Sequence, residues 1–200
     1  GGSLTEAAIA RLLAGFRLPS AIGPRPVPLL SGGEKTKVAL ARLLLSEPDP
    51  ADAAEVVRWR LTPTVYRHSF LDALGQVAPP GFPVQVKVDT GMHRVGAPPV
   101  LAAELARRVA ASSLPLQGLW THFAVAEEDP AYTATQLRGL RTVVEALAAR
   151  GVRPDVVHAA NTAGGLAYPQ ARLDVVRAGI GVFGLRPAPA PDKPHPGPDH

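Results

Sequence analysis

Residues 86–96, VKVDTGMHRVG, bring a lysine, a carboxylate, a hydroxyl and an arginine together in one short run. Val84, Val86 and Val88 alternate with Gln85, Lys87 and Asp89, the two-residue period of a strand. The run then enters a Thr90-Gly91 turn and reaches Arg94. Burying unpaired charge is costly, so charge on one face of such a strand points to a polar site at its carboxyl end. The same arrangement recurs downstream. A third strand candidate ends in Thr121-His122-Phe123-Ala124, a fourth in His158-Ala159-Ala160-Asn161-Thr162-Ala163, and a fifth contains Val176-Arg177-Ala178-Gly179-Ile180. Acids, bases and hydroxyls at successive strand ends are what a parallel α/β active site needs.

The elements that must position them follow from the pattern. Strands are expected at 61–66, 84–89, 116–123, 156–160 and 175–183. Helices are expected at about 68–75, 98–111 and 133–150. The last is the clearest, with Leu137, Leu140, Val143, Val144 and Leu147 at helical spacing and Gly151 as its stop. Strands alternating with helices of this length imply βαβ units and a parallel sheet or barrel. Ahead of them, 4–16 and 31–45 read as helices separated by a proline-rich connector, with Glu47-Pro48-Asp49-Pro50 as a breaker. Residues 188–200 are proline-rich and read as a linker or disordered tail.

Composition limits the function classes. Of the 200 residues 46% are apolar and 19% charged, so a core is within reach. The net charge of +4 is mild and its arginines are dispersed, which argues against nucleic acid as a partner. The absence of cysteine excludes disulfides and thiolate metal sites, no metal is expected, and a cytosolic setting fits. No apolar run is long enough for a membrane span, and no leader is evident at the N-terminus.

Five segments together resemble consecutive parts of the barrel domain of alanine racemases. They are LTPTVY (61–66), VKVDTGMHRVG (86–96), GLWTHFAVAEED (118–129) with Gln136 downstream, HAANTAGGLAYP (158–169) and LDVVRAGIGVFGLRP (173–187). The resemblance covers about residues 51–187. It implies an α/β fold, a partial (β/α)8 TIM-type barrel of about five of eight strands, preceded by the mostly helical segment 1–50. It also implies pyridoxal 5'-phosphate (PLP) as cofactor, alanine as substrate and a homodimer.

Roles carry over only at matching positions. Arg177 would face the pyridine nitrogen of PLP and keep it unprotonated. His122 would hydrogen-bond Arg177. Asn161 and Thr162, with the backbone of Gly179 and Ile180, would hold the cofactor and its phosphate; the family more often has Ser where Thr162 stands. Arg94 would reach the substrate carboxylate, positioned by Lys87, whose counterpart is carbamylated in some members. Plainer readings stand beside these: a salt-bridged strand arginine at 177, a satisfied histidine at 122, a turn or helix cap at 161–162, and a solvated face at Lys87 and Asp89. His158 reads as a packing residue or as a support behind the residues that touch the ligand.

Two features depart from the family. Its cofactor lysine sits in a K-A-[DN]-A-Y-G-H-G segment, whereas the lysines of this sequence are Lys35, Lys37, Lys87 and Lys193, none in that context. Its C-terminal β-domain, which supplies a tyrosine base, has no counterpart in the sequence. Separately, LSGGEKTKVALARLLLSEPD (30–49) resembles the signature segment of ABC-type ATPases, without a phosphate-binding Gly-x4-Gly-Lys loop; a glycine-capped helix is the plainer reading. The expectation is a racemase-like PLP barrel segment that is inactive by itself. The alternatives are a non-catalytic interaction module and another barrel-type PLP enzyme acting on D-amino acids.

Overall fold

The computed structural model describes residues 49–179. The chain divides between Glu47 and Pro48, and the second unit holds every described residue. The helices expected at 4–16 and 31–45, the tail at 188–200, Ile180 and the rest of the expected 175–183 strand beyond residue 179 lie outside the described residues.

Four parallel strands form one sheet in sequential order: β1 (Thr64–Val65), β2 (Val84–Lys87), β3 (Leu116–Trp120) and β4 (Val156–His158). Between them run α2 (His68–Val77), α3 (Pro99–Ala110) and α4 (Pro130–Ala148). A sheet whose neighbours in space are neighbours in sequence, each joined by a helix, is an arc of an α/β barrel. Val175 bridges His158 in parallel, which begins the fifth expected strand.

The alternation in β2 separates two environments. Val84, Val86 and Val88 are fully buried, as are Leu119 of β3 and Leu105 and Val109 of α3. Helix α4 buries Gln136, Leu137, Leu140, Val143 and Leu147 along one stripe. It starts three residues before the expected position because Asp129 accepts from Tyr132 N at 2.8 Å and Pro130 fits the first turn.

Two helices were not anticipated. The Glu47–Pro50 cluster ends one pattern but also begins another. Asp49 caps a 3-10 turn, Pro50–Asp52, accepting from Ala51 N at 2.9 Å, and α1 (Ala53–Arg58) follows. The glycine pair at 164–165 conceals α5 (Thr162–Ala167), whose cap is Asn161, accepting from Gly164 N at 2.8 Å.

Those glycines are required by close approach. A Cβ at Gly164 would lie 2.9 Å from Phe123 Cδ2, and one at Gly165 would lie 2.6 Å from Val176 Cγ1. Phe123 is buried and has no room to yield. Gly75, inside α2, meets nothing within 4 Å. Gly164→Ala should therefore destabilise the fold by about 1–3 kcal/mol through overpacking. Gly75→Ala should stabilise it by about 0.5–1 kcal/mol through helix propensity. Thermal midpoints of the two variants test this; equal shifts would contradict it.

Candidate active site

Strand register assembles the site. Lys87 pairs with Trp120, and Trp120 with His158, so three side chains stand at one height on one face of the sheet. The Trp120 and His158 rings stack with centroids 5.4 Å apart and planes 15° from parallel. Lys87 Nζ lies 4.6 Å from the Trp120 ring centre and Arg177 Cζ 4.7 Å from it. An aromatic face partly offsets the cost of removing cations from water.

Arg177 occupies the centre. Its Nη2 donates to Thr121 O at 2.8 Å and Ala159 O at 2.9 Å, and reaches His122 Nδ1 at 3.3 Å. Its Nη1 donates to His158 Nδ1. Burial pulls the guanidinium down to about 10, so it stays charged at neutral pH. Both histidines are pushed down to about 4, first by burial and then by Arg177; Lys87 and Arg94 add to the effect at His122, and Asp174 opposes it at His158. They are neutral acceptors around a fixed cation.

Lys87 is only 4% exposed, which removes the reading of a solvated Lys87–Asp89 face. Burial, then Arg94 and Arg177, lower its ammonium to about 8, with Asp89 opposing. Arg94 itself is exposed, close enough to act on Lys87 through its charge. Asp89 has a local task. Burial opposes its ionisation, yet hydrogen bonds from the N–H groups of Gly91, His93 and Met92, aided by the His93 charge, hold its carboxyl below the usual range. This shapes the turn that carries Arg94.

A buried polar network ties two strand ends to α4. Gln136 Oε1 accepts from Ala124 N at 2.9 Å and Nε2 donates to His122 O at 3.1 Å, fixing the backbone on both sides of Phe123. The Thr90 and Thr121 hydroxyls meet at 2.7 Å, and Thr121 donates to Val88 O. Asn161 is half-buried and caps α5, Thr162 is buried in its first turn, and Gly179 is exposed beyond Arg177. Two buried polar atoms have no partner among the described residues: Trp120 Nε1 and Tyr66 Oη.

A family model described as alanine racemase, N-terminal domain, matches residues 20–187. The chain belongs to this family. The match overlaps residues 30–49. Alanine racemase from Desulfovibrio desulfuricans is 38% identical over 156 residues, 76% of this chain and 42% of its own length. The enzyme from Symbiobacterium thermophilum is 46% identical over 109 residues, 53% of this chain and 29% of its own. Among solved structures, alanine racemase of Clostridium difficile 630 in complex with cycloserine superposes with a TM-score of 0.67 at 28% identity. That superposition covers 72% of this chain and 41% of that one. A histidine racemase from Leuconostoc mesenteroides gives 0.62 at 28%, covering 72% and 40%. The chain spans about two fifths of the length of the curated alanine racemases it matches over most of its own length.

Seen as an alanine racemase barrel segment, the arc brings together Lys87, His122 and Arg177, and sets Arg94 within electrostatic reach. Asn161, Thr162 and Gly179 stand at the strand ends that follow. His158, expected to pack or to support the residues at the site, contacts Arg177 directly. Counting residues by two from each strand end would have put Lys87, Trp120 and His158 on one face. Among the described residues no helix is long and apolar enough to cross a membrane.

The neutral histidines make stability depend on pH. Between the ordinary value of 6.5 and about 4, the unfolded chain holds protons on His122 and His158 that the folded chain does not. Stability therefore falls as pH drops through that window. Melting at about pH 7 and about pH 4.5 should show a lower midpoint in acid, with a smaller drop in His122→Gln. A midpoint that is unchanged or higher in acid contradicts the assignment.

Proposed function

We propose that residues 51–187 form the PLP-binding part of an alanine racemase, an isomerase interconverting L- and D-alanine for cell-wall synthesis. Residues 1–50, with their ABC-like run, are read as a separate segment, and 188–200 as a linker. The observation that carries the proposal is Arg177, a half-buried cation whose acceptors among the described residues are all neutral, at the carboxyl end of a parallel sheet.

The residues present fit the cofactor. Lys87 and Arg177 put two positive charges against Trp120, with Arg94 in electrostatic reach of Lys87, and the buried Trp120 N–H lacks an acceptor among the described residues. The nearby carboxylates are engaged by backbone N–H groups, Asp89 as described and Asp174 by Val157 N at 2.7 Å. A ligand rich in acceptor atoms and negative charge balances such a site. When bound, PLP supplies an electron-accepting ring that lets an α-proton leave the amino acid.

The chain's own contributions follow. Arg177 would hold the pyridine nitrogen while keeping its own proton, since its guanidinium titrates far above neutral pH. His122 and His158 would stop the guanidinium from rotating. Asn161, Thr162, Gly179 and Ile180 would hold the phosphate by hydroxyl and N–H donors. Arg94, positioned by Lys87, would take the alanine carboxylate. None of Lys35, Lys37, Lys87 and Lys193 has the sequence context of the family's cofactor lysine, so these 200 residues by themselves are expected to bind PLP without turning over alanine. A homodimer is part of the same proposal.

A second reading is another barrel-type PLP racemase, supported by the similarity to the Leuconostoc histidine racemase. The test is a thermal melt followed by tryptophan fluorescence with and without excess PLP, paired with an assay for D-alanine. A ligand bound only by the folded state raises the midpoint. The expected result is a raised midpoint, abolished in Arg177→Ala, with no D-alanine above background. A sharp transition indifferent to PLP would favour a non-catalytic interaction module. D-alanine formation would refute the predicted inactivity.

A further inference from the structure

Beneath the Lys87–Trp120–His158 layer lies a second layer of the same sheet face, where Gln85 pairs with Gly118 and Gly118 with Val156. Gly118 has no side chain, and a Cβ there would come within 3.0 Å of Gln85 Cδ and Cγ. The glycine leaves a passage through which Gln85 crosses β3 to reach β4. Its Oε1 sits 3.1 Å from His158 Nε2, and its Nε2 donates to Gln117 Oε1 at 3.3 Å.

The chemistry of each atom fixes the direction of these bonds. An amide oxygen only accepts, so His158 Nε2 carries the proton. A guanidinium only donates, so His158 Nδ1, which faces Arg177 Nη1, carries a lone pair. The amide cannot flip without losing Gln117 and setting two donors against each other.

We propose that Gln85 is a positioning residue: it locks His158 in the Nε2–H tautomer and so presents Nδ1 as a standing acceptor for Arg177. The stacked Trp120 ring holds the imidazole plane while Gln85 holds its proton. The charged groups acting on His158 are Arg177, which disfavours protonation, and Asp174, which favours it. Lys87 lies against the Trp120 ring that His158 stacks on, and His122 shares Arg177. Gln85 and Arg177 act on opposite ring nitrogens and favour the same neutral tautomer. Its consequence for the cofactor rests on the function proposed above; the tautomer does not.

The experiment is long-range 1H–15N NMR of the histidine rings in the full 200-residue chain without PLP, at neutral pH, with His158 assigned by signal loss in His158→Gln. The expected wild-type result is a protonated Nε2 and an unprotonated Nδ1. In Gln85→Leu the Nε2–H loses its acceptor, so its exchange with solvent should quicken. In Gln85→Glu a carboxylate at Nε2 should raise the His158 pKa by about one unit or more. An Nδ1–H tautomer at His158 in the wild type overturns the proposal without either Gln85 variant having to fold. So does an Nε2–H exchange rate unmoved in Gln85→Leu together with a His158 pKa unmoved in Gln85→Glu. Because the readout needs no cofactor, a failure of PLP binding leaves this result standing, and the two readings fail separately.

Discussion

A guanidinium half-withdrawn from water must find a partner for its charge or for its N–H groups, and among the described residues Arg177 has the second without the first. Its contacts are two backbone carbonyls, two neutral imidazoles and a tryptophan face. A carboxylate would have neutralised it at less cost of design. Neutral acceptors fix its position and leave its positive potential to act on whatever enters the site. Much of the surrounding structure meets the requirements of that arrangement.

The carbonyls of Thr121 and Ala159 are available because β3 and β4 end at adjacent heights on a parallel sheet. The imidazoles are neutral because they are buried beside the cation they serve. The β3 end is held by Gln136, whose amide spans Ala124 N and His122 O, and by the Thr90–Thr121 hydroxyl pair. Such networks define one arrangement because each unmet bond is costly in a dry interior. The β4 end is closed by α5, which packs against Phe123 and Val176 through two glycines. The chain thus places its polar constellation on sheet register, with its cations beside the strand ends.

Much of this was legible in the sequence. The alternation of Val84, Val86 and Val88 marked β2, and the stripe from Leu137 to Leu147 marked α4, because burial on one face leaves a period that composition alone does not. The DTGM, THFA, HAAN and VRAGI runs marked the strand ends. What was missed was coupling across strands. His158 read as packing because its partner lies nineteen residues on, and Gln85 read as one more polar alternate because Gly118, which admits it, belongs to another strand. Helix α5 was hidden by Gly164 and Gly165, whose low helix propensity is overridden by the need for contact with Phe123 and Val176. Asp49-Pro50 read as a stop, yet the same pair is a start once its carboxylate caps the turn that follows.

The central claim is that Arg177 is a permanent, non-titrating donor toward the cofactor ring. It is tested most directly by 15N NMR of PLP labelled at the pyridine nitrogen and added to the full chain near neutral pH. The account predicts a bound signal with the shift of an unprotonated pyridine, unchanged across the neutral range. A pyridinium shift would mean that a proton sits between Arg177 and the ring, and would contradict it.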